Sequence, residues 1–220
     1  MRSVIFDLDG TLADTSGDLI AAANACFRDL GLGDLLSPDR DQATALRGGR
    51  AMLTLGFSRV GSVDNAVVDA EYPKLLNHYA RAIDHHTVLY DGAMEAVETL
   101  KSNAFVVGIC TNKPEGLAET LMHNLGVRDV FGSLIGADTL PVRKPDPAPL
   151  IEAARRAGGD PQRMLLVGDT ITDHTTARAA GVPSVLVTFG PSGHEMPALE
   201  PDALLHDYAE LPKVAQALLG

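Results

Sequence analysis

Five short runs of apolar, largely β-branched residues alternate with amphipathic helical patterns, and this alternation narrowly limits the fold. The runs are SVIF at 3–6, FVVGIC at 105–110, SLIG at 133–136, MLLVG at 164–168 and SVLVTFG at 184–190. The helical patterns cover 92–103, 115–126, 148–159 and 175–182. Continuous apolar strands separated by helices favour a parallel sheet that is covered on both faces. The sequence therefore predicts an α/β fold with a doubly wound parallel sheet.

Residues 17–88 interrupt this order, because they contain amphipathic helical patterns and no run typical of a strand. We interpret this segment as a helical module inserted after the first strand. The predicted domains are an α/β core formed by 1–16 and 89–220 and a helical domain formed by 17–88.

Composition and charge argue against several classes of protein. The 220 residues are 45% apolar, and 29 acidic residues outnumber 18 basic ones for a net charge of -11. Such a charge argues against binding nucleic acid or an anionic membrane. No apolar run reaches the roughly 20 residues that cross a bilayer, and the N-terminus lacks a signal-peptide pattern. We expect a cytoplasmic monomer or homodimer with both cysteines in its core.

Polar side chains follow the predicted strands at their carboxyl ends, where open parallel sheets bind ligands. These residues are Asp7, Asp9, Thr111, Asn112, Lys113, Asp169 and, four residues further on, Asp173. Lys144, in the segment RKPDP, precedes a helix instead. We expect four acids, a hydroxyl and an ammonium to meet at one edge of the sheet.

The four acids predict a metal site. Two unit charges about 4 Å apart repel each other by roughly 4 kcal/mol at an effective dielectric of 20, and a bound cation removes this cost. Carboxylate and carbonyl oxygens suit Mg²⁺, and the absence of neighbouring His or Cys disfavours zinc. The candidate metal ligands are Asp7, Asp9, Asp169 and Asp173.

The same residues can carry out phosphoryl transfer. Asp7 and Asp9 point the same way from an extended segment, so one carboxylate can attack while the other handles protons. Gly10 allows a sharp turn after them, and Thr11 can donate to an oxyanion. With Mg²⁺, Lys144 and a threonine hydroxyl neutralising charge, an aspartyl-phosphate intermediate divides the hydrolysis into two easier steps.

The segments DLDGTLAD, CTNKP, RKPDP and GDTITD, in this order, resemble the four motifs of the haloacid dehalogenase-like (HAD) hydrolase superfamily. The helical insertion is similar to that of members with a C1-type cap, and the resemblance covers essentially the whole chain. KPDPAPL and the general layout are most similar to the phosphoglycolate phosphatase branch. The resemblance implies a Rossmann-like core, a helical cap that selects the leaving group, and Mg²⁺ as cofactor.

The resemblance also implies a role for each acid of the first motif. Asp7 is expected to be the nucleophile and a metal ligand. Asp9 is expected to protonate the leaving alcohol and then to activate water, with its backbone carbonyl on the metal. Dehalogenases of the superfamily lack an acid at this position, because a departing halide needs no proton. We therefore predict a phosphatase.

Residues of the other motifs receive roles in the same way. The resemblance implies that Thr111 and Lys144 bind the transferring phosphoryl group, and that Asp169 and Asp173 complete the metal site. Thr111 can also cap the helix that begins near 114, and Asp173 can accept backbone donors in the first turn of its own helix. His174 stands where relatives more often carry an apolar residue, so its role stays open.

Substrate selection is less legible in the sequence. Arg47 and Arg50 lie in the inserted segment beside two glycines, where either guanidinium can pair with a second anionic group of the substrate. The alternative is a solvated charge pair at a helix start. Thr11 and Asn112 complete the candidate substrate-binding residues.

Several functions are compatible with these groups. We expect a small phosphorylated metabolite as the partner and phosphoglycolate phosphatase as the activity. The alternatives on the same scaffold are a pyrophosphatase, a nucleotidase, a sugar-phosphate phosphatase or a phosphomutase. A binding protein that kept the fold without its catalysis is the alternative from another class.

Overall fold

The computed structural model describes residues 1–61 and 63–220, and the chain divides into two units. One unit comprises Met1–Ala13 and Leu89–Gly220, and the other comprises Asp14–Val88. The second unit begins slightly before the boundary predicted from the sequence. Asp14 joins it because its carboxylate accepts hydrogen bonds from the backbone and the hydroxyl of Ser16, at 3.0 and 2.6 Å. The assignment of the units as separate domains stays a prediction.

Six of the described strands form a parallel sheet in the first unit, which confirms the predicted fold class. The strands are β1 (Arg2–Phe6), β2 (Ala13–Asp14), β3 (Val88–Leu89), β4 (Phe105–Cys110), β5 (Leu134–Ile135), β6 (Met164–Gly168), β7 (Ser184–Val187) and β8 (Ala203–Leu205). The order across the sheet is β5-β4-β1-β6-β7-β8, and β2 pairs with β3 separately. The strand order therefore reverses at β1, which lies between β4 and β6.

Helices make up the rest of the regular structure. They are α1 (Ser16–Asp29), α2 (Pro38–Ala45), α3 (Gly49–Arg59), α4 (Asn65–Arg81), α5 (Ala93–Ser102), α6 (Glu115–Asn124), α7 (Ala148–Arg156), α8 (Ile171–Ala180) and α9 (Leu211–Leu219). Short 3₁₀ helices cover Arg128–Val130, Gly193–Leu199 and Tyr208–Glu210. The first four helices belong to the second unit, and the remaining ones belong to the unit that contains the sheet.

The sheet is held by the apolar runs that define its strands. Val4, Ile5 and Phe6 of β1 are fully buried, and Ile5 lies opposite Gly108 of β4 and Leu166 of β6. Burying both faces of a strand requires the continuous apolar sequence seen here. The two free cysteines are buried as predicted.

Some element bounds differ from those predicted. Helix α8 begins at Ile171 rather than at 175, because Asp173 bonds the backbone of Thr170 and so stabilises an earlier first turn. The apolar side chain of Ile171 is exposed, so the first turn does not follow the amphipathic pattern from which the helix was predicted. Strand β7 ends at Val187, three residues before the end of its apolar run, and neither β8 nor α9 is predicted from the sequence.

The second unit has an apolar core of its own. Phe27 of α1 and Phe57 of α3 meet edge to face with their ring centroids 5.3 Å apart. Asp41 of α2 is buried, and one of its carboxylate oxygens lies 2.6 Å from the guanidinium of Arg59. Helix α3 is thereby tied to α2 by charge as well as by packing.

None of the described helices combines the length and the apolar character needed to span a lipid bilayer.

Candidate active site

Three neighbouring strands bring the predicted site residues together. Because β1 lies between β4 and β6, the segments that follow these strands meet at one edge of the sheet. The backbone N–H of Asp7 donates to the carbonyl of Val167 at 2.8 Å, which continues the pairing of β1 with β6. Asp7, Asp169 and Asp173 each place a carboxylate oxygen within 4.8 Å of the others. The predicted convergence of these acids is therefore present.

The ammonium of Lys144 lies inside this cluster. Its Nζ is 2.6 Å from Oδ1 of Asp173 and 3.0 Å from Oδ2 of Asp7, and its side chain is 1% exposed. The side-chain amide of Asn112 donates to the carbonyl of Lys144 at 3.0 Å, so the segment that follows β4 fixes the backbone of this lysine. Asn112 therefore has a structural contact, and its predicted binding of substrate stays a prediction.

Burial changes the acidity of these groups. Desolvation raises the pKa of Asp7 to about 7, and the positive charge of Lys144 offsets this only in part. Burial, with the charges of Asp173 and Asp7, also raises the pKa of Asp169 well above its usual value. Burial alone lowers the pKa of Lys144, but the charges of Asp173 and Asp7 outweigh it and raise the pKa. The lysine therefore stays a cation beside two carboxyl groups whose ionisation is opposed by burial.

Asp173 accepts the backbone donor expected in the first turn of its helix and also lies in the acidic cluster, while its role at a metal ion stays a prediction. Its Oδ2 accepts from the backbone N–H and the hydroxyl of Thr170, at 3.1 and 2.7 Å, and its Oδ1 accepts from Lys144. It therefore begins helix α8 and belongs to the acidic cluster at once. Thr170 is a supporting residue that sequence reasoning missed, although threonine is a common residue at the start of a helix.

Asp9 lies beside a second ammonium. Nζ of Lys113 is 2.6 Å from Oδ1 of Asp9, and both side chains are largely buried, at 2% and 17% exposure. Gly10 follows with a φ of 80°, the left-handed conformation that the predicted sharp turn requires. Lys113 was recognised at the end of its strand, but sequence reasoning gave it no role. Its position three residues after the end of β4 is the only signal that the sequence offers.

The hydroxyl of Thr11 makes a hydrogen bond within the site. It donates to Oδ1 of Asp169 at 3.0 Å, and Thr11 is fully buried. The carbonyl of Thr11 accepts from the phenol of Tyr208 at 2.6 Å. Tyr208 is a second residue that sequence reasoning missed, because it lies 197 positions away in a segment without a motif. Oxyanion binding by Thr11 stays a prediction.

Thr111 closes the turn after β4. Its hydroxyl accepts from the backbone N–H of Lys113 at 3.2 Å, and its own N–H donates to the carbonyl of Ile135 at 2.9 Å. Helix α6 begins at Glu115, after Pro114, so Thr111 precedes the helix instead of capping it. The predicted contact of Thr111 with a phosphoryl group is not tested by these bonds.

The acidic cluster fits a magnesium ion. Its donors are oxygens only, and hard oxygen ligands are those that Mg²⁺ prefers. With all four carboxylates of the motifs ionised, the ammoniums of Lys113 and Lys144 balance two of the four negative charges, and a divalent cation would balance the other two. Asp7, Asp169 and Asp173 are the side chains placed to hold the ion, and the carboxylate of Asp9 is paired with Lys113 instead.

The remaining predicted residues lie outside this cluster. Arg47 and Arg50 belong to the second unit, where the guanidinium of Arg50 pairs with Asp69 and lies 4.7 Å from the ring centre of Tyr72. Substrate binding by either arginine stays a prediction. Nδ1 of His174 lies 3.0 Å from the hydroxyl of Ser184.

Comparison with known proteins finds relatives over most of the chain. The sequence profile of the haloacid dehalogenase-like hydrolases matches residues 4–187. A phosphoglycolate phosphatase of Agrobacterium fabrum (strain C58) is 36% identical over 208 residues, which cover 94% of this chain and 89% of that protein. A phosphoglycolate phosphatase of Xanthomonas campestris pv. campestris (strain 8004) is 39% identical over 189 residues, which cover 86% and 84% of the two chains.

Solved structures share the fold. A predicted phosphoglycolate phosphatase from Haemophilus somnus 129PT has a TM-score of 0.85, with 24% identity and 98% coverage of both chains. The predicted phosphatase function agrees with the names of the relatives described above. The chain belongs to the haloacid dehalogenase-like hydrolase family, as its four motifs predicted.

Proposed function

We propose that this protein is a Mg²⁺-dependent phosphatase that hydrolyses 2-phosphoglycolate through an acyl phosphate formed on Asp7. The observation that carries the proposal is the buried cluster in which Lys144 contacts Asp7 and Asp173 beside Asp169. The name shared by relatives at 36% and 39% identity supports phosphoglycolate as the substrate. The cytoplasmic location and the monomeric or homodimeric state are predictions that accompany this proposal.

Asp7 is the nucleophile of the proposed reaction. Its Oδ1 accepts from the N–H of Leu8 at 2.7 Å, and its Oδ2 contacts Lys144, so the carboxylate is held by both oxygens. Its side chain is 13% exposed, more than those of Lys144 and Asp173 at 1%. Asp7 is therefore the member of this group that a substrate reaches. Lys144, which is itself bonded to Asp173, orients the carboxylate of Asp7.

The first step transfers the phosphoryl group to Asp7. A carboxylate oxygen of Asp7 forms a bond to phosphorus as the bond from phosphorus to the glycolate oxygen breaks, and Asp9 gives that oxygen a proton. In the second step Asp9 takes a proton from water, which forms the new bond to phosphorus as the bond to Asp7 breaks. Asp7, Asp169, Asp173 and the carbonyl of Asp9 would hold Mg²⁺, which would neutralise charge at the phosphoryl oxygens.

The second anionic group of phosphoglycolate requires a partner in the protein. We assign this role to Arg47 or Arg50, whose guanidiniums can bind a carboxylate in a bidentate manner. Arg47→Ala and Arg50→Ala separate the two residues. The variant that loses the contact raises KM for phosphoglycolate and leaves KM for p-nitrophenyl phosphate, which lacks the carboxylate, unchanged. If both variants keep the wild-type KM for phosphoglycolate, the assignment is wrong.

Phosphate release from a panel of substrates tests the proposed function. The panel contains 2-phosphoglycolate, p-nitrophenyl phosphate, sugar phosphates, nucleotides and pyrophosphate, each with MgCl₂ and with EDTA. We expect Mg²⁺-dependent release, greatest with phosphoglycolate, and its loss in Asp7→Asn, which keeps the shape of the side chain and removes its charge. If another compound of the panel is hydrolysed with a higher kcat/KM, that compound and not phosphoglycolate is the preferred substrate. A purified, folded protein without turnover on the panel is a binding protein instead.

A further inference from the structure

The ammonium of Lys113 is a buried charge to which the proposed function assigns no role. Its side chain is 2% exposed, in the segment that joins β4 to α6. An ammonium removed from water is costly unless a partner of opposite charge compensates it, and breaking such a pair is more costly than never forming it. An apolar side chain of similar volume fills the same space without that cost. The charge of Lys113 therefore needs an explanation other than stability.

The backbone of Lys113 is fixed on both sides. Its N–H donates to the hydroxyl of Thr111 at 3.2 Å, and its carbonyl accepts from the N–H of Ala137 at 2.9 Å. The second bond ties the segment after β4 to the segment after β5. The ammonium thus reaches the site from a rigid support, which is what a group that positions another side chain requires.

The partner of Lys113 is the proposed acid and base of the reaction. Nζ lies 2.6 Å from Oδ1 of Asp9, the distance of a short charge-assisted hydrogen bond. A contact at one oxygen limits rotation of the carboxyl group about its bond to Cβ, and so sets where the other oxygen points. Proton transfer requires that oxygen within about 2.6–3.2 Å of the reacting atom.

We propose that Lys113 is a positioning residue that holds the carboxyl group of Asp9 in the orientation from which it exchanges protons with the leaving group and with water. The inference rests on the proposed function, in which Asp9 is the acid and the base. It gives Lys113 a role distinct from that of Lys144, whose ammonium contacts Asp7 and Asp173. Lys113 acts through Asp9 and does not contact the substrate.

A comparison of leaving groups tests this role. The quantity measured is kcat/KM, which covers the reaction through departure of the leaving group, for an alkyl phosphate such as phosphoglycolate and for p-nitrophenyl phosphate. Alkoxide needs a proton to depart and p-nitrophenolate does not. We expect Lys113→Met to lower kcat/KM about 10- to 100-fold for the alkyl phosphate and less than about threefold for the aryl phosphate.

A double-mutant cycle identifies the residue through which Lys113 acts. Asp9→Asn alone should show the same dependence on the leaving group, more strongly, and Lys113→Met added to it should cost nothing further. Lys113→Arg, which keeps the positive charge, should recover part of the lost rate. Lys101→Met is the matched control, because Lys101 is a half-exposed lysine of α5 paired with Glu98. Thermal unfolding of each variant establishes that it is folded.

The possible results separate the two proposals. Equal losses with both substrates, or additive losses in the double variant, contradict positioning by Lys113 and leave the role of Asp9 intact. A raised KM for phosphoglycolate with unchanged kcat assigns Lys113 to direct substrate binding instead. If Asp9→Asn shows no dependence on the leaving group, the proposed acid is wrong and the failure lies in the proposed function.

Discussion

Gly168, the last residue of β6, is where a single methyl group should disable the site. A Cβ built on Gly168 lies 2.3 Å from Cβ and 2.4 Å from Cγ of Asp173. Ordinary contact begins at 3.4 Å, so Gly168→Ala forces a separation of about 1 Å. Asp173 cannot withdraw freely, because Thr170 and Lys144 hold its two oxygens. The strain therefore reaches Lys144 and, through it, Asp7.

Both activity and stability should respond to this substitution. A displacement of about 1 Å in a catalytic group lowers turnover by roughly 10²-fold, and overpacking costs about 1–3 kcal/mol of unfolding free energy. The measurements are kcat for Mg²⁺-dependent hydrolysis and urea unfolding monitored by circular dichroism.

The matched control is Gly116→Ala in α6, where an added Cβ meets nothing within 4 Å. We expect the control to keep wild-type kcat and to gain up to about 1 kcal/mol of stability. Wild-type kcat and stability in Gly168→Ala would refute the claim that close packing of Asp173 on β6 keeps Lys144 in place.

Three further predictions concern charge and hydrogen bonding. The hydrogen bond from Arg59 lowers the pKa of Asp41. Asp41→Asn should therefore cost about 2 kcal/mol of unfolding free energy at pH 7, and this difference should begin to shrink below about pH 4 as wild-type Asp41 takes up its proton; in urea unfolding, a difference that does not diminish below pH 4 contradicts this prediction. Because burial raises the pKa of Asp7 to about 7, Mg²⁺ binding should release protons at pH 7, and the affinity for Mg²⁺ should weaken as pH falls. Calorimetry in buffers of different ionisation enthalpy measures the proton release, and Mg²⁺ binding without it would contradict the prediction. Tyr208→Phe leaves the carbonyl of Thr11 without its phenol donor and should cost about 1–2 kcal/mol; an unchanged urea midpoint would show that this bond contributes nothing.

The sequence predicted the sheet because each central strand is a continuous apolar run. Strands β1, β4 and β6 match these runs closely. Strand β8 (Ala203–Leu205) escaped prediction because a three-residue strand at a sheet edge has little apolar sequence of its own. Its position depends on the neighbouring β7, which is a tertiary relation that local periodicity does not contain.

The candidate site was predictable to the extent that sheet geometry determines it. Parallel strands place the residues that follow them at one edge, so the meeting of Asp7 with Asp169 follows from the order of the motifs. The partner of each polar group does not follow. The bond of Lys113 to Asp9, for example, depends on packing that the sequence does not reveal. The contact of Tyr208 with Thr11 likewise requires the folded chain.

A crystal structure of the protein with MgCl₂ and beryllium fluoride, a mimic of the phosphoryl group, tests most directly whether Asp7 is the phosphorylated residue. We predict that the mimic is bonded to a carboxylate oxygen of Asp7, with Mg²⁺ between Asp7 and Asp169 and with Lys144 in contact with the fluorides. A mimic bound away from Asp7, or a cluster of these acids that holds no ion in saturating MgCl₂, would contradict the proposed mechanism.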